Sequence, residues 1–315
     1  MIKTESFSRA PFFTKNSFNP FTMKALKHLL LLLCLLFPLN SLAQTAVEQR
    51  CTHHHYKHKN DIREYYLYTP NGLEKGAPFI ICLHGYTGSA IRGKAGLMDA
   101  AEKYGFAVCF PQGLRDPKGK SGWNVGYPPQ EGMKTDDIDF VVKLTQALRR
   151  QNSFGDAFLT GMSNGGEMCY LMAQKKPEVF KAIASIAGLT LCNMFPLRYR
   201  KPVPFMEVHG TKDRTSAWEG DPENKGGWGA YMAVPAAISH LVVANGCISM
   251  TTTELDQKEG GNKVLLHHFS DGKPAFKGGP SADVLLYEVI GGNHNWADKD
   301  MDTYEHILKF FKRYL

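Results

Sequence analysis

A serine between two glycines, in the stretch Gly161-Met162-Ser163-Asn164-Gly165, is the pattern in this chain most suited to chemistry. A β-prone run over residues 157–160 precedes it, and a helix-like run over residues 167–174 follows it. A strand-to-helix turn this tight leaves almost no room for side chains around the serine, which explains the glycines. The turn exposes the serine Oγ beside a helix N-terminus, whose free N–H groups can stabilise an oxyanion. The pattern therefore predicts that Ser163 is a nucleophile.

A nucleophilic serine needs a base to take its proton and an acid to orient that base. Asp213 and His294 follow Ser163 in chain order, each in a loop after a predicted strand, at residues 203–209 and 284–290 respectively. Catalytic groups in open parallel sheets cluster at the carboxyl ends of strands. We therefore predict that Ser163, His294 and Asp213 act together as nucleophile, base and acid.

Other residues could fill the acid and base positions. Glu219 and Asp221 lie a little further along the same loop and remain alternative acids. Four further histidines after Ser163 lie on predicted strands or on a helix, and none of the four shares the glycine-rich turn of His294: His209, His240, His267 and His268.

The oxyanion of an acyl-transfer reaction needs two backbone N–H donors. We expect one from Asn164, directly after the nucleophile, and one from Tyr86, in the loop after a predicted strand at residues 79–83. Chemistry of this kind requires no metal and no organic cofactor.

All four tryptophans fall in predicted loops: Trp123, Trp218, Trp228 and Trp296. Aromatic rings exposed around a nucleophile can stack on a sugar face or a phenolic ring. We therefore expect Trp123, Trp218 and Trp296 to bind substrate. Anchoring of the loops onto the sheet is the alternative role for each ring.

Predicted strands and helices alternate along the chain, which is typical of an α/β fold with a mostly parallel central sheet and helices on both faces. The predicted strands lie at residues 63–68, 79–83, 106–110, 157–160, 182–187, 203–209, 264–269 and 284–290. The predicted helices lie at residues 94–104, 135–150, 167–174, 234–244 and 301–314. A long loop at residues 111–134 separates two of these elements, and loops of that length are usually functional.

The first 43 residues are predicted to lie outside this fold. A basic stretch at residues 23–28, an apolar run at 29–37 and small residues before position 44 together indicate a secretory signal peptide, with Met23 as an alternative start to Met1. The apolar run is shorter than the roughly 20 residues that span a bilayer, so we expect no stable membrane insertion after cleavage, with a membrane anchor as the alternative. Residues 44–315 then form one catalytic domain.

The charge of the chain excludes one class of partner. The formal net charge is +7, and most of it belongs to residues 1–43. The remainder carries no block of Lys and Arg suited to nucleic acid, so no nucleic-acid partner is expected.

Six cysteines follow residue 43, an even number that permits disulfides in an exported protein. Cys192 and Cys247 are the preferred candidates for a bridge, although sequence alone does not determine connectivity. No Cys/His spacing indicates zinc, so no metal site is predicted. The histidines at 53–55, with His58, are interpreted as the solvated segment that enters the first predicted strand, and adventitious metal binding is the alternative.

Seven ordered motifs carry a resemblance to a known family. They are His84-Gly85, Ser121-Gly122-Trp123-Asn124, Asp136-Asp137-Ile138-Asp139-Phe140, Gly161-Met162-Ser163-Asn164-Gly165-Gly166, His209-Gly210-Thr211-Lys212-Asp213, Asn245-Gly246-Cys247 and Gly292-Asn293-His294-Asn295-Trp296. This set resembles the secreted esterases grouped as polyhydroxybutyrate depolymerases and feruloyl or acetylxylan esterases (carbohydrate esterase family one). The resemblance implies an α/β-hydrolase fold, with Ser163, Asp213 and His294 in the triad roles. Residues 214–218 lack the Pro-Tyr pair usual after the acid in that family.

The leading hypothesis is a secreted serine esterase acting on acyl or feruloyl esters of plant-wall polysaccharide such as xylan. Depolymerisation of polyhydroxybutyrate or short hydroxyalkanoates by the same triad is the alternative. A catalytically inactive hydrolase fold that binds glycans is a remote third hypothesis.

Overall fold

Ten strands form one mixed sheet in the computed structural model, which describes residues 47–194 and 198–315. The strands are β1 (Thr52–His58), β2 (Asp61–Tyr68), β3 (Phe79–Leu83), β4 (Ala107–Pro111), β5 (Ala157–Met162), β6 (Ile183–Ile186), β7 (Phe205–Gly210), β8 (Ser249–Glu254), β9 (Val264–Ser270) and β10 (Val284–Val289). Their order across the sheet is β1-β2-β4-β3-β5-β6-β7-β10-β9-β8. The six strands from β4 to β10 pair in parallel, and the two strands at each edge are added antiparallel.

Within the described ranges, five helices cover the sheet: α1 (Ala95–Tyr104), α2 (Asp137–Asn152), α3 (Asn164–Lys175), α4 (Val234–Asn245) and α5 (Thr303–Lys312). One core cluster joins the apolar faces of α2, α3 and α4 to one side of the sheet. A second cluster joins α1 and α5 to the other side. Because both faces are covered, the central strands are continuous apolar runs, and all five residues of β3 are buried. The predicted mostly parallel sheet with helices on both faces is confirmed.

Two edge strands were absent from the sequence prediction. β8 is exposed at five of its six positions, and β1 carries the histidine run at its exposed sheet edge. Neither strand has a wholly buried face, so neither produces the apolar pattern on which strand prediction depends.

The predicted bridge between Cys192 and Cys247 is wrong, because the six cysteines of the described residues are free thiols. The backbone N–H of Cys192 donates to the carbonyl of Ala230, whereas the thiol of Cys247 lies 3.7 Å from the carbonyl of Ala282. The two cysteines are therefore held by different loops.

Among the described residues, no helix combines the length and apolar character needed to cross a membrane. The predicted signal segment at 23–43 and the choice between Met1 and Met23 lie outside the described residues.

The parallel strands determine where the functional loops meet. β3, β5, β7 and β10 run in the same direction, so the loops after their carboxyl ends leave from one edge of the sheet. Those loops carry the residues around Tyr86, Ser163, Asp213 and His294.

Candidate active site

Ser163 occupies the turn between β5 and α3 in a strained conformation, with φ 57° and ψ −123°. A β-carbon built on Gly161 would lie 2.5 Å from the carbonyl oxygen of Gly165. One built on Gly165 would lie 2.6 Å from the carbonyl oxygen of Leu83. The backbone N–H of Ser163 donates to Ile186 on the neighbouring strand at 2.8 Å, which ties the strained turn to the sheet. Both glycines are therefore required by close backbone approach.

Asp213 and His294 are in direct contact, although 81 residues separate them in sequence. Nδ1 of His294 lies 2.7 Å from Oδ2 of Asp213. The other carboxylate oxygen accepts the backbone N–H groups of Thr215 at 2.8 Å and Ser216 at 2.9 Å. Burial acts to raise the pKa of Asp213, but His294 and the N–H donors outweigh it and hold the pKa below its ordinary value. The carboxylate is therefore ionised and has a defined orientation.

Ser163 and His294 line one cavity of about 320 Å³. Its wall also includes Tyr86, Tyr127 and Trp228. Asp213 is buried beside His294, whose own side chain is 20% exposed. The structure thus brings Ser163 and the imidazole of His294 to one solvent-accessible cavity, with the Asp213 carboxylate against Nδ1 of that imidazole.

The alternative acids occupy other positions. The carboxylate of Asp221 accepts the backbone N–H groups of Lys225 at 2.9 Å and Gly226 at 2.7 Å, which closes a turn in its own loop. Glu219 is exposed. Neither makes a hydrogen bond to His294 among those formed by the described residues.

The loop after β3 approaches Ser163 closely at Gly85. A β-carbon built on Gly85 would lie 3.2 Å from Cβ and 3.7 Å from Oγ of Ser163. The neighbouring N–H groups of Thr87 and Gly88 bond to Ser121 and Gly85, whereas that of Tyr86 donates to no acceptor in the described chain. Asn164 is the first residue of α3, where a helix leaves its N–H groups without intrahelical partners. The assignment of these two N–H groups to an oxyanion hole stays a prediction.

The buried ring of His84 holds the loop after β3 through both of its nitrogens. Its Nδ1 lies 2.7 Å from the carbonyl of Gly85, and its Nε2 accepts the backbone N–H of Gly113 at 2.9 Å. Burial lowers the pKa of His84 to about 4, so the ring is neutral at neutral pH. A protonated Nδ1 and an unprotonated Nε2 match these two contacts. The Nδ1 contact holds the carbonyl of Gly85, the residue directly before Tyr86.

The expectation that Trp123 is an exposed substrate-binding residue is corrected, because its side chain is 0% exposed. The side chain of Asn164 holds the backbone of Trp123 through two hydrogen bonds, of 2.7 Å to its N–H and 3.0 Å to its carbonyl. The indole N–H donates to the carbonyl of His84 at 2.8 Å. Trp123 therefore supports the turn and the β3 loop from inside, and the Asn164 side chain has a structural role that sequence reasoning missed.

Neither of the other two predicted substrate-binding tryptophans lines the Ser163 cavity. Trp218 is half-buried, with its ring edge-on to His209. Trp296 packs against Tyr304, and the ammonium group of Lys94 lies 4.2 Å from its ring centroid. Both rings are in contact with other side chains of the protein.

Trp228 is the tryptophan of the described residues that lines the cavity together with Ser163. Its ring centroid lies 5.5 Å from that of Tyr86 and 5.3 Å from that of Tyr127. All three rings line the cavity. The sequence placed Trp228 in a loop but gave no sign of this cluster, since its members are distant in sequence.

One possible metal-binding cluster occurs in the described residues, and it lies on the hairpin of β1 and β2. It comprises His53, His55 and Glu64, all exposed. Ser163, Asp213 and His294 do not belong to it. These three side chains match the needs of acyl transfer by serine, for which no metal is required.

The sheet topology and the helices on both of its faces define an α/β-hydrolase fold. The sheet resembles that of acetyl xylan esterase from Aspergillus awamori, with a TM-score of 0.54 and 15% identity over 80% of this chain and 98% of that one. It also resembles S-formylglutathione hydrolase from Agrobacterium tumefaciens, with a TM-score of 0.53 and 12% identity over 84% and 95% of the two chains. The predicted α/β-hydrolase fold is confirmed.

The predicted resemblance is confirmed more specifically by sequence: residues 63–199 match the esterase PHB depolymerase family. Feruloyl esterase B of Neurospora crassa is 30% identical over 39% of this chain and 43% of its own length. Acetylxylan esterase A of Talaromyces purpureogenus is 30% identical over 39% of this chain and 33% of its own length. Poly(3-hydroxyalkanoate) depolymerase C of Paucimonas lemoignei is 24% identical over 66% of this chain and 49% of its own length. The chain spans less than half the length of each of these relatives.

Proposed function

We propose that this protein is a serine esterase, a carboxylic ester hydrolase in which Ser163, His294 and Asp213 are nucleophile, base and acid. The observation that carries the proposal is the shared cavity of Ser163 and His294, with Oδ2 of Asp213 2.7 Å from Nδ1 of the imidazole. A protonated Nδ1 leaves Nε2 of His294 free to accept a proton. Asp213 thereby selects the tautomer that a general base requires.

The proposed reaction has two halves. Ser163 Oγ attacks the ester carbonyl while His294 takes the hydroxyl proton, and the same proton then goes to the departing alcohol. Water next attacks the acyl-enzyme, with His294 again as base, and releases the acid and the free serine. The N–H groups of Tyr86 and Asn164 stabilise the negative oxygen formed in each half.

We propose acyl or feruloyl esters on plant-wall polysaccharide, such as decorated xylan, as the substrates. Similarity to feruloyl and acetylxylan esterases supports this class. The wall formed by Trp228, Tyr86 and Tyr127 supports an aromatic acyl group in particular, because aromatic rings pack well against a flat phenolic ring. The hydroxyl of Tyr86 donates a hydrogen bond to the carboxylate of Asp116, which fixes the orientation of that ring.

Depolymerisation of polyhydroxyalkanoates is the second candidate, favoured by the similarity to a poly(3-hydroxyalkanoate) depolymerase. A panel of methyl ferulate, acetylated xylan and hydroxybutyrate oligomers at equal concentration separates the two. We expect the highest kcat/KM for the ferulate or the xylan ester. A higher kcat/KM for the hydroxybutyrate oligomers would select the second candidate. Failure to hydrolyse any ester would leave the inactive glycan-binding hypothesis.

We also propose export, with residues 23–43 removed as a signal peptide and residues 44–315 forming the mature catalytic domain. The basic, apolar and small-residue segments in that order support it. N-terminal sequencing of the protein from its native host tests the proposal, and Gln44 is the expected first residue. An N-terminus upstream of residue 29 on the mature protein would contradict it.

A further inference from the structure

Glu207 and His209 form a buried acid–imidazole pair next to the Asp213 loop. They are two residues apart on β7, so their side chains point to the same face of the sheet. Both side chains are 0% exposed, and Nδ1 of His209 lies 2.9 Å from Oε1 of Glu207. Burying two ionisable groups is unfavourable compared with apolar packing, so the pair beside the candidate acid suggests a function.

The hydrogen bonds of the pair indicate where its protons are. Nε2 of His209 lies 2.7 Å from the carbonyl of Ser216, which can only accept, so Nε2 carries a proton. Glu207 receives the N–H of Gly188 at 3.2 Å on Oε1 and the hydroxyl of Tyr170 at 3.1 Å on Oε2. Two donors besides the imidazole favour the carboxylate form. The remaining proton then lies on Nδ1, which makes His209 an imidazolium.

The pKa direction of His209 agrees with a proton held on the imidazole, whereas that of Glu207 points the opposite way, so the hydrogen bonds described above decide between the two. Burial alone would lower the pKa of His209, but the hydrogen bond and the charge of Glu207 outweigh it and place the pKa above its ordinary value. Burial raises the pKa of Glu207, as expected for a carboxyl in the core. The pair therefore titrates as a unit. The other polar or titratable groups that face it are Cys169, Tyr170, Ser185 and Asp213.

His209 contacts the candidate acid in two ways. Its Nε2 lies 3.7 Å from Oδ2 of Asp213, the oxygen that is 2.7 Å from His294. Its hydrogen bond to the Ser216 carbonyl also holds the turn whose N–H groups bind the other oxygen of Asp213. A positively charged His209 at that distance partly offsets the negative charge of Asp213, which otherwise stabilises a proton on His294.

We propose that His209 is a positioning residue, an imidazolium paired with Glu207 that holds the Asp213 carboxylate ionised and oriented and limits the proton affinity of His294. This inference rests on the proposed esterase function. It extends the three-residue arrangement to five residues and assigns a role to the buried acid on β7.

The variant Glu207→Gln tests the charge, because glutamine keeps the shape of the side chain but cannot stabilise an imidazolium. We expect the acid limb of the kcat/KM profile to move to higher pH by about one unit, since Asp213 then acts on His294 unopposed. Rates are normalised to active sites counted with a fluorophosphonate, so loss of folded protein does not imitate the effect. Tyr170→Phe is the matched control, because it removes one donor to Glu207 without removing the charge. An acid limb in Glu207→Gln that coincides with the wild-type limb would overturn the proposal.

A second measurement needs no stable Glu207 variant. In the ¹⁵N NMR spectrum of the wild-type protein, both ring nitrogens of His209 should be protonated from pH 5 to 8, with assignment from His209→Gln. A neutral His209 ring at pH 7 would overturn the proposal even if Glu207→Gln does not fold. This measurement uses no substrate, so it tests the His209 proposal by itself. The esterase function would instead be refuted by a Ser163 that does not react, and failure of one proposal is therefore distinguishable from failure of the other.

Discussion

The Nδ1 atom of His294 lies 2.7 Å from Oδ2 of Asp213, across 81 residues of sequence. Asp213 has no exposed side-chain surface and receives two backbone N–H groups on its other oxygen. The carboxylate therefore cannot rotate away from the imidazole without breaking both of those bonds. This contact leaves Nε2 of His294 as the nitrogen that accepts a proton in the proposed mechanism.

Replacing Asp213 with asparagine should lower kcat by on the order of 10⁴-fold, because the amide can donate to Nδ1 and so stabilise the wrong tautomer. Asp221→Asn is the matched control, since Asp221 closes a turn in the same region without touching His294, and it should retain near wild-type kcat. Hydrolysis of p-nitrophenyl acetate measures both. Equal losses in the two variants would argue for a general loop effect in place of the proposed role of Asp213.

Trp228→Ala should raise KM for methyl ferulate by about tenfold while changing KM for a p-nitrophenyl acetate reference much less. The ring forms part of the aromatic wall of the cavity, and its loss removes stacking area worth about 1 kcal/mol or more. Trp296→Ala is the comparison, because that ring contacts Lys94 and Tyr304 outside the cavity. A larger ferulate-specific effect from Trp296→Ala would show that the rim of the substrate site lies elsewhere.

His84 should make the fold less stable in mild acid. Its pKa is about 4 in the folded protein, below the ordinary value of 6.5, so the unfolded chain binds the proton first as pH falls. The contribution is complete above pH 6.5 and is lost as pH falls towards 4, up to about 3 kcal/mol. Urea unfolding at pH 7.5 and 5.0 should show a smaller difference in His84→Gln than in wild type, with exposed His53→Gln as the control. A His84→Gln variant with the full wild-type pH dependence would contradict this assignment.

Esterase activity should be insensitive to EDTA and 1,10-phenanthroline, because the proposed mechanism uses side chains and backbone N–H groups alone. The cluster of His53, His55 and Glu64 lies on the β1–β2 hairpin, so any ion it captures should leave the rate unchanged. A His53→Ala/His55→Ala variant should accordingly behave like wild type in the presence and absence of zinc. Chelator inhibition that added zinc reverses would show that a metal takes part.

The sequence predicted best where short-range patterns decide the structure. The glycines around Ser163 are required by backbone contacts within a few residues, and β3 and β5 are continuous apolar runs. Asp213 and His294 could be proposed because parallel strands deliver their following loops to one edge of the sheet.

Prediction was weaker where distant residues meet. Trp123 was predicted to be exposed because it lies in a loop. The Asn164 side chain, 41 residues away, instead forms hydrogen bonds to its backbone, and the ring is buried in the core. Trp228 joins Tyr86 and Tyr127 through contacts that have no local signature. The bridge between Cys192 and Cys247 was predicted from an even cysteine count and from the position of both residues near loops, neither of which indicates where the two loops lie relative to each other.

The most direct test of the central claim is labelling with a fluorophosphonate followed by peptide mass spectrometry. We expect one label per folded molecule, on the peptide that contains Ser163, and no label on Ser163→Ala. Ser239→Ala, at an exposed position on α4, should be labelled like wild type. A folded wild-type protein that takes up no label, or a label that persists in Ser163→Ala, would contradict the assignment of Ser163 as the nucleophile.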